Sequence, residues 1–385
     1  MIRAAALTAL CALCGSLALA GCGSSERRAT IRVKAKTFSA PRRGSSAPDP
    51  PFIDPHNIYA ADRAGDLSPV VRHFPELVYV PNSASNTVDE IDPRTYRIVR
   101  HFDVGMLPQH VVPAYDLRTL WVTNDLGNTL TPIDPATGAP GPPVAVEDPY
   151  NMYFTPDGRH AVVMAERLQR MDFRDAATMA LRHSLSVPQC PGVNHAAYTA
   201  SGRFMLVSCE FGSGMIVVDV GHQRVVRTIA LRAGAQPQDV SLSPDGRVFY
   251  VADLAYGGVW EIAAPRMKVI GFLKTGAGAH GLYPSRDARF LYVSNRTAGT
   301  VAVIDFAAKR KVATWTIPGG SPDMGGVSAS GSVLWLSGRY DAAVYAIDTR
   351  TGHLLRRIPV GVGPHGLCVY PQPGRFSLGH TGVMR

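Results

Sequence analysis

A short hydrophobic segment recurs seven times along the 385-residue chain. Each copy alternates apolar and polar residues and ends in a cluster of Gly, Pro, Asn or Asp, a pattern typical of short antiparallel strands. Matching positions in the seven copies are Val80, Val122, Met164, Val207, Val251, Val293 and Leu336. They are separated by 42, 42, 43, 44, 42 and 43 residues. A repeat of this length predicts one four-stranded blade of a β-propeller.

The inner strand of each blade also occurs seven times, but it is displaced along the chain. The first such strand begins near His110 and the last near His365. The chain therefore starts with a blade that lacks its inner strand and ends with an inner strand that lacks its blade. Pairing of residues 365–371 with residues 77–104 would close the ring and remove two exposed sheet edges. We expect an all-β, seven-bladed propeller of four-stranded antiparallel blades, closed by the C-terminal strand.

Three copies of the second strand end in a shared motif. Residues 79–82 (Tyr-Val-Pro-Asn), 121–124 (Trp-Val-Thr-Asn) and 292–295 (Tyr-Val-Ser-Asn) resemble the signature of the YVTN-repeat, or YncE-like, β-propeller family. Residues 86–88 (Asn-Thr-Val) and 363–366 (Gly-Pro-His-Gly) match the same pattern. The resemblance covers residues 77–371 and implies a bacterial extracytoplasmic seven-bladed propeller. Because the family is defined by its repeat, the resemblance implies a fold more than a function.

The N-terminus predicts export and lipid anchoring. Arg3 precedes an apolar run over residues 4–20, which is too short to span a bilayer comfortably. The run ends in Leu-Ala-Gly before Cys22, which resembles the lipobox of bacterial lipoproteins. We expect residues 1–21 to be a signal peptide and Cys22 to carry a lipid on the outer side of the cell membrane, in the periplasm or at the cell surface. An ordinary secretory signal with an incidental Cys is the alternative.

Residues 22–55 predict a flexible, basic, Ser/Pro-rich tether, followed by the propeller over residues 56–385. Residues 23–55 contain seven Lys or Arg and three acidic residues, so nearly half of the net charge of +9 lies outside the propeller. A basic tether adds attraction to anionic lipids. The modest charge of the propeller argues against nucleic acid as a partner. We expect a monomer that contacts the membrane through Cys22 and binds an unidentified protein or small molecule.

Polar residues recur where the inner strand begins and where the second strand ends. These two places meet at one face of the disc, around the mouth of the central channel. In our alignment the first inner-strand position is occupied by His110, Tyr150, Asn194, Gln238, His280, Asp323 and His365, and the next position adds Asn151, His195 and Asp239. The candidate ligand-binding residues are His110, Asn151, His195, Asp239, His280, Asp323, His365, Glu166, Glu210, Asp253, Arg296 and Arg339.

This set supports more than one function. A binding or scaffold module with a small-ligand site at the mouth is our first interpretation. The alternative is an extracytoplasmic enzyme, either a lactonase-type hydrolase or a haem- or quinone-linked oxidoreductase, that uses the same histidines and carboxylates. Histidine with carboxylate is typical of metal sites, but no short ligand spacing occurs, so no cofactor is predicted and a metal stays an alternative. No nucleophile or cofactor motif is present, so no catalytic residue is assigned.

Three cysteines lie in the repeat region. Cys190 precedes the inner strand of blade four and Cys209 ends its second strand, so antiparallel pairing places them close together. Export favours oxidation, and we predict a disulfide between them, with two packed thiols as the alternative. Cys368 is expected to be a buried thiol. Residues 376–381 are expected to form a tail that packs on the closure.

Overall fold

The computed structural model describes residues 52–385. The predicted signal peptide, the lipidation site Cys22 and most of the tether lie outside these residues. Secondary structure within this range consists of 29 strands. It contains no helix long and apolar enough to cross a membrane.

The strands form seven separate sheets. In chain order they are β1 (Leu77–Asn82), β2 (Thr87–Asp92), β3 (Arg97–Asp103), β4 (Pro108–Pro113), β5 (Leu120–Asn124), β6 (Thr129–Asp134), β7 (Ala139–Pro140), β8 (Val144–Ala145), β9 (Pro149–Phe154), β10 (His160–Ala165), β11 (Arg170–Asp175), β12 (Leu181–Ser186), β13 (Val193–Tyr198), β14 (Phe204–Cys209), β15 (Gly214–Asp219), β16 (Arg224–Ala230), β17 (Pro237–Leu242), β18 (Val248–Asp253), β19 (Gly258–Ala263), β20 (Lys268–Lys274), β21 (Ala279–Pro284), β22 (Phe290–Asn295), β23 (Thr300–Asp305), β24 (Arg310–Thr316), β25 (Pro322–Val327), β26 (Val333–Gly338), β27 (Ala343–Asp348), β28 (Leu354–Pro359) and β29 (Cys368–Tyr370).

Six blades use consecutive strands, and blade one takes its inner strand from the C-terminal end of the chain. The sheet of blade one has the order β29-β1-β2-β3, and in blade two the outer edge is split between β7 and β8. The inner strands β4, β9, β13, β17 and β25 are buried along their whole length, whereas outer strands such as β3 and β12 are mostly exposed. The predicted seven-bladed propeller is confirmed.

The C-terminal strand closes the ring, as predicted, but it is shorter than residues 365–371. Tyr79 pairs with Cys368, and one bridge further along Asn82 pairs with Pro364. Between these two pairs, the C-terminal segment contains one more residue than the segment of blade one that it faces. This β-bulge interrupts the ladder at His365, so the regular strand begins only at Cys368.

The Ser or Thr of the repeat motif links neighbouring blades. Thr123 Oγ1 accepts a hydrogen bond from the backbone N–H of His110 (3.0 Å) and donates to the carbonyl oxygen of Tyr150 in the next blade (3.0 Å). Ser294 makes the corresponding pair of bonds between blades six and seven. The Asn that follows donates to a Thr hydroxyl at the start of the next strand. The motif therefore satisfies buried polar groups that the bulge leaves without ladder partners.

The predicted disulfide between Cys190 and Cys209 is present, with Cα atoms 4.7 Å apart. It joins the segment before β13 to the end of β14, near the mouth of the channel. Cys368 is buried and is a free thiol.

Two flanking segments pack on the opposite face of the disc, where the inner and second strands are joined by turns. In the N-terminal segment Ile58 donates its N–H to Pro244 O (2.9 Å) and the Tyr59 hydroxyl donates to Leu242 O (2.6 Å). Beyond β29, residues 376–385 form a hairpin-like loop along β9. Leu378 O accepts from the N–H of Phe154, and the N–H of His380 donates to Met152 O. This loop carries His380 into the channel.

Candidate functional site in the central channel

A bulge at the start of the inner strands brings two adjacent positions of the chain to the channel. In β4, Pro108 pairs with Asn124 and Val111 pairs with Val122, so Gln109 and His110 together lie opposite one residue. The same irregularity occurs in β9, β13, β17, β21 and β25. Bulges re-aim side chains that would otherwise point to opposite faces of a strand. Both positions can therefore supply polar groups to one site.

The register corrects one sequence-based assignment. We aligned His110 with the first inner-strand position, but Gln109 occupies it and His110 occupies the second. Pro108 and Val193 both pair with the last residue of a second strand, which makes His110 equivalent to His195. The error arose because the bulge, which sets the register, cannot be read from the Gln-His-Val segment itself.

Five histidines meet in the channel. Each has at most 2% of its surface exposed, and neighbouring ring centroids are 4.9–5.9 Å apart. Four of them were predicted: His110, His195, His280 and His365. The fifth, His380, was missed because it belongs to the non-repetitive tail, where no periodicity reports its position.

His110, His195 and His380 form one group. The His110 Nδ1 atom lies 2.9 Å from Tyr150 O, which requires Nδ1 to carry the proton. The amide nitrogen of Asn151 lies 3.2 Å from His195 Nδ1 and 2.9 Å from His380 Nδ1. Within residues 52–385 the Nε2 atoms of all three rings are buried and have no hydrogen-bond partner. Each ring offers one nitrogen as a possible metal ligand, and these three nitrogens lie within 4.8 Å of one another.

His280, Asp323 and His365 form a second group. The Asp323 carboxylate lies 3.1 Å from His280 Nδ1 and 3.6 Å from His365 Nε2. Arg296 donates to the same carboxylate through Nε (2.9 Å) and Nη2 (2.6 Å). Burial alone would lower the pKa of Arg296, but the Asp323 carboxylate outweighs it and raises that pKa. The guanidinium therefore stays charged and neutralises Asp323.

The repeat histidines are neutral at pH 7. Burial lowers the pKa of His110 and His195 well below the usual value of 6.5, and the nearby His380 ring lowers both further. Burial has the same effect on the pKa of His280 and of His365. Each of these rings therefore offers one nitrogen lone pair rather than a positive charge.

Opposite charges line the mouth above the histidines. Glu166 and Glu210 follow the second strands of blades three and four, and Arg296 and Arg339 follow those of blades six and seven. Burial raises the pKa of the Tyr150 hydroxyl; the two glutamates raise it further and the two arginines oppose them. Burial, followed by repulsion from Glu210, raises the pKa of Glu166 to about 8. All four side chains thus act electrostatically on one buried hydroxyl.

Two predicted carboxylates differ in their placement. Asp239 accepts hydrogen bonds from the N–H groups of Val240 (2.8 Å) and Leu282 (2.9 Å), and it lies 3.5 Å from His380 Nε2. Asp253 instead accepts from Trp260 Nε1 (2.7 Å) within blade five. As the last residue of its strand, Asp253 turns towards the next strand, as Asn124 and Asn295 do. It does not join the histidines, whereas Asn151 and the other candidates lie around the channel.

Comparison with solved structures finds the same fold. The periplasmic gluconolactonase PpgL of Pseudomonas aeruginosa superposes with a TM-score of 0.64 at 20% identity, over 77% of this chain and 99% of that chain. Hydrazine synthase of Kuenenia stuttgartiensis gives 0.59 at 19% identity, over 67% and 88%. The dihydro-haem d1 dehydrogenase NirN gives 0.59 at 15% identity, over 76% and 75%. No curated protein matches the chain significantly.

The sequence itself matches one family model, described as a YncE-like β-propeller, over residues 66–374. The match spans all seven blades, including the closing strand β29. The chain therefore belongs to the YncE-like β-propeller family.

Proposed function

We propose that the protein is an exported propeller, anchored to the outer side of the cell membrane by a lipid on Cys22, that binds a small polar ligand at the channel mouth. The N-terminal apolar run, the lipobox-like segment and the basic tether support export and anchoring. The charges around the mouth support binding.

One observation carries the binding proposal: a carboxyl group and a guanidinium group at the mouth lack an ionic partner. Glu166 makes no side-chain hydrogen bond or ion pair within the described part of the chain. Arg339 donates to Ser83 Oγ and Gly363 O, each at 3.0 Å, and no described carboxylate lies within 4.0 Å of its guanidinium. Half-buried charged groups are costly unless a partner meets them, so a ligand that meets both would bind favourably.

The chemistry of the mouth defines the ligand class. Arg339 suits a carboxylate or another anionic group. Glu166 suits a hydroxyl or amine, because a carboxyl group with a pKa of about 8 is mainly protonated at pH 7 and can donate as well as accept. The expected ligand is a small hydroxy acid, sugar acid or amino acid.

Thermal-shift measurements against a panel of these acids test the proposal. At least one compound should raise the melting temperature of the wild type and should do so less for Arg339→Met and for Glu166→Gln. Arg350→Met removes an exposed arginine and is the matched control, which should respond as the wild type does. A panel in which no compound separates the mouth variants from the control would overturn the proposal.

Glu166 also favours a second candidate, hydrolysis of a lactone. A carboxyl group whose pKa lies near the working pH is suited to proton transfer. Lactone hydrolysis consumes one water and yields one hydroxy acid, a member of the ligand class above. Release of acid from gluconolactone, followed with a pH indicator, should exceed the spontaneous rate for the wild type and return to it for Glu166→Gln. Equal rates for both proteins would exclude this function.

A further inference from the structure

We propose that His110, His195 and His380 form a buried site for one divalent transition-metal ion, completed by the C-terminal segment. The three rings are buried, whereas Glu166 and Arg339 at the mouth are half-buried, and the two sites use different residues. The metal site is therefore independent of the small-ligand proposal.

Three buried nitrogen atoms that make no hydrogen bond carry the inference. Polar atoms in protein interiors are nearly always hydrogen-bonded, and each exception calls for an explanation. Here the Nε2 atoms of all three histidines are exceptions within the described residues. The three side chains also approach closely enough for one ligand atom of each to reach a common ion. A bound cation would satisfy all three nitrogens at once.

Neighbouring groups can orient the rings for metal binding. A ligating histidine usually donates its other ring N–H to a carbonyl or carboxylate oxygen. His110 already does so, through Nδ1 to Tyr150 O. The Asn151 amide contacts Nδ1 of both His195 and His380. The amide oxygen accepts from the N–H of Met152 (2.8 Å). With the ion bound, the amide would turn by 180° and give up this bond, so that its oxygen accepts from both Nδ1–H groups and both Nε2 lone pairs are free for the ion.

The ligand set selects the class of ion. Imidazole nitrogens suit zinc, cobalt, nickel and copper, whereas magnesium and calcium prefer oxygen. The Asp239 carboxylate lies 3.5 Å from His380 Nε2 and offers an oxygen ligand beside the three rings. The second histidine group is less suitable, because Arg296 already donates to Asp323 and places a positive charge there.

His380 makes the site depend on the C-terminal tail. The backbone of this tail is fixed to β9 just before the histidine and at the histidine itself, through Leu378 O and the N–H of His380. Metal binding at His380 should therefore stabilise the docked tail as well as the ring of blades.

Cobalt titration of the purified full-length protein, freed of metal with a chelator, tests the site. Bound Co²⁺ should appear as one equivalent with visible d–d absorption. His380→Gln should weaken binding about 100-fold or more, since even second-shell changes cost about 10- to 100-fold. His353→Ala removes an exposed histidine and is the matched control, with unchanged affinity expected. Unchanged affinity in His380→Gln would overturn the proposal.

Two further measurements keep the test independent of any effect on folding. Asn151→Asp retains an oxygen acceptor for both rings and should bind Co²⁺ as well as the wild type, whereas Asn151→Leu should bind at least 10-fold more weakly. X-ray absorption of the wild-type cobalt complex should show scattering from about three imidazoles. A spectrum with oxygen ligands only, or a wild type that binds no cobalt, would show that the three nitrogens serve only packing or buried water.

Discussion

Replacement of Glu166 by Gln should stabilise the protein increasingly as pH rises from 5 to 8. The pKa of this carboxyl group is raised from 4.5 to about 8, mainly by burial and then by Glu210 and Asp125. Because the folded-state pKa lies above the unfolded value, ionisation destabilises the folded state. The penalty is absent below pH 4.5, grows between pH 4.5 and pH 8, and is constant at higher pH.

The size of this free-energy penalty follows from the shift in the pKa of Glu166. A shift of this size corresponds to at most about 5 kcal/mol, at 1.36 kcal/mol per pH unit. Solvent at the mouth and relaxation of the neighbouring carboxylates reduce it, so we expect about 2 kcal/mol at pH 8. For a protein of this size that is roughly 2–4 °C in melting temperature.

Melting temperatures of the wild type and Glu166→Gln, measured from pH 5 to pH 9, give the difference directly. The difference should widen up to pH 8 and then stay level. Glu147→Gln is the control, since Glu147 is exposed and its pKa is lowered through Arg170. A difference between wild type and Glu166→Gln that does not change with pH would refute the burial argument.

Three further predictions concern the fold and the anchor. The double variant Cys190→Ser, Cys209→Ser should lose about 3 kcal/mol of its free energy of unfolding, because the disulfide closes a loop with a sequence separation of 19. Thermal melting with and without reductant measures this loss, and an unchanged melting temperature would contradict the prediction. Ser294→Ala should lower the free energy of unfolding by about 1–3 kcal/mol, since the N–H of Gly281 and Asp323 O both lose their hydroxyl partner. The exposed Ser332→Ala is its control, and equal melting temperatures for the two variants would count against the role of the motif. Cys22→Ser should move the protein expressed in a bacterial host from the detergent phase to the aqueous phase of a Triton X-114 separation, and retention in the detergent phase would argue against lipidation.

The repeat allowed the fold to be predicted because each blade reports the same strands independently. The closure could be predicted by counting strands. There are seven inner strands and seven second strands, but the first second strand has no inner strand before it and the last inner strand has no second strand after it. The motif residues Thr123 and Ser294 lie within the repeat and could be aligned without any structure. Their bonds to neighbouring blades explain why a hydroxyl follows the two apolar residues.

The channel was harder to predict because its geometry depends on features that have no period. His110 was misaligned by one position, since the bulge between Pro108 and Val111 sets its register. Asp253 was grouped with the channel because it ends a second strand, although the side chains at that position turn into the blade. His380 enters through tertiary docking of the tail on β9, for which the local sequence gives no signal.

The most direct test of the binding proposal is calorimetric titration of the panel compound that most stabilises the wild type. The dissociation constant should rise about 10-fold or more in Arg339→Met, which removes the guanidinium, and in Glu166→Gln, which removes the carboxyl group. It should stay within about twofold in the Arg350→Met control. A compound that binds the wild type and both mouth variants equally well would contradict a ligand site between Glu166 and Arg339.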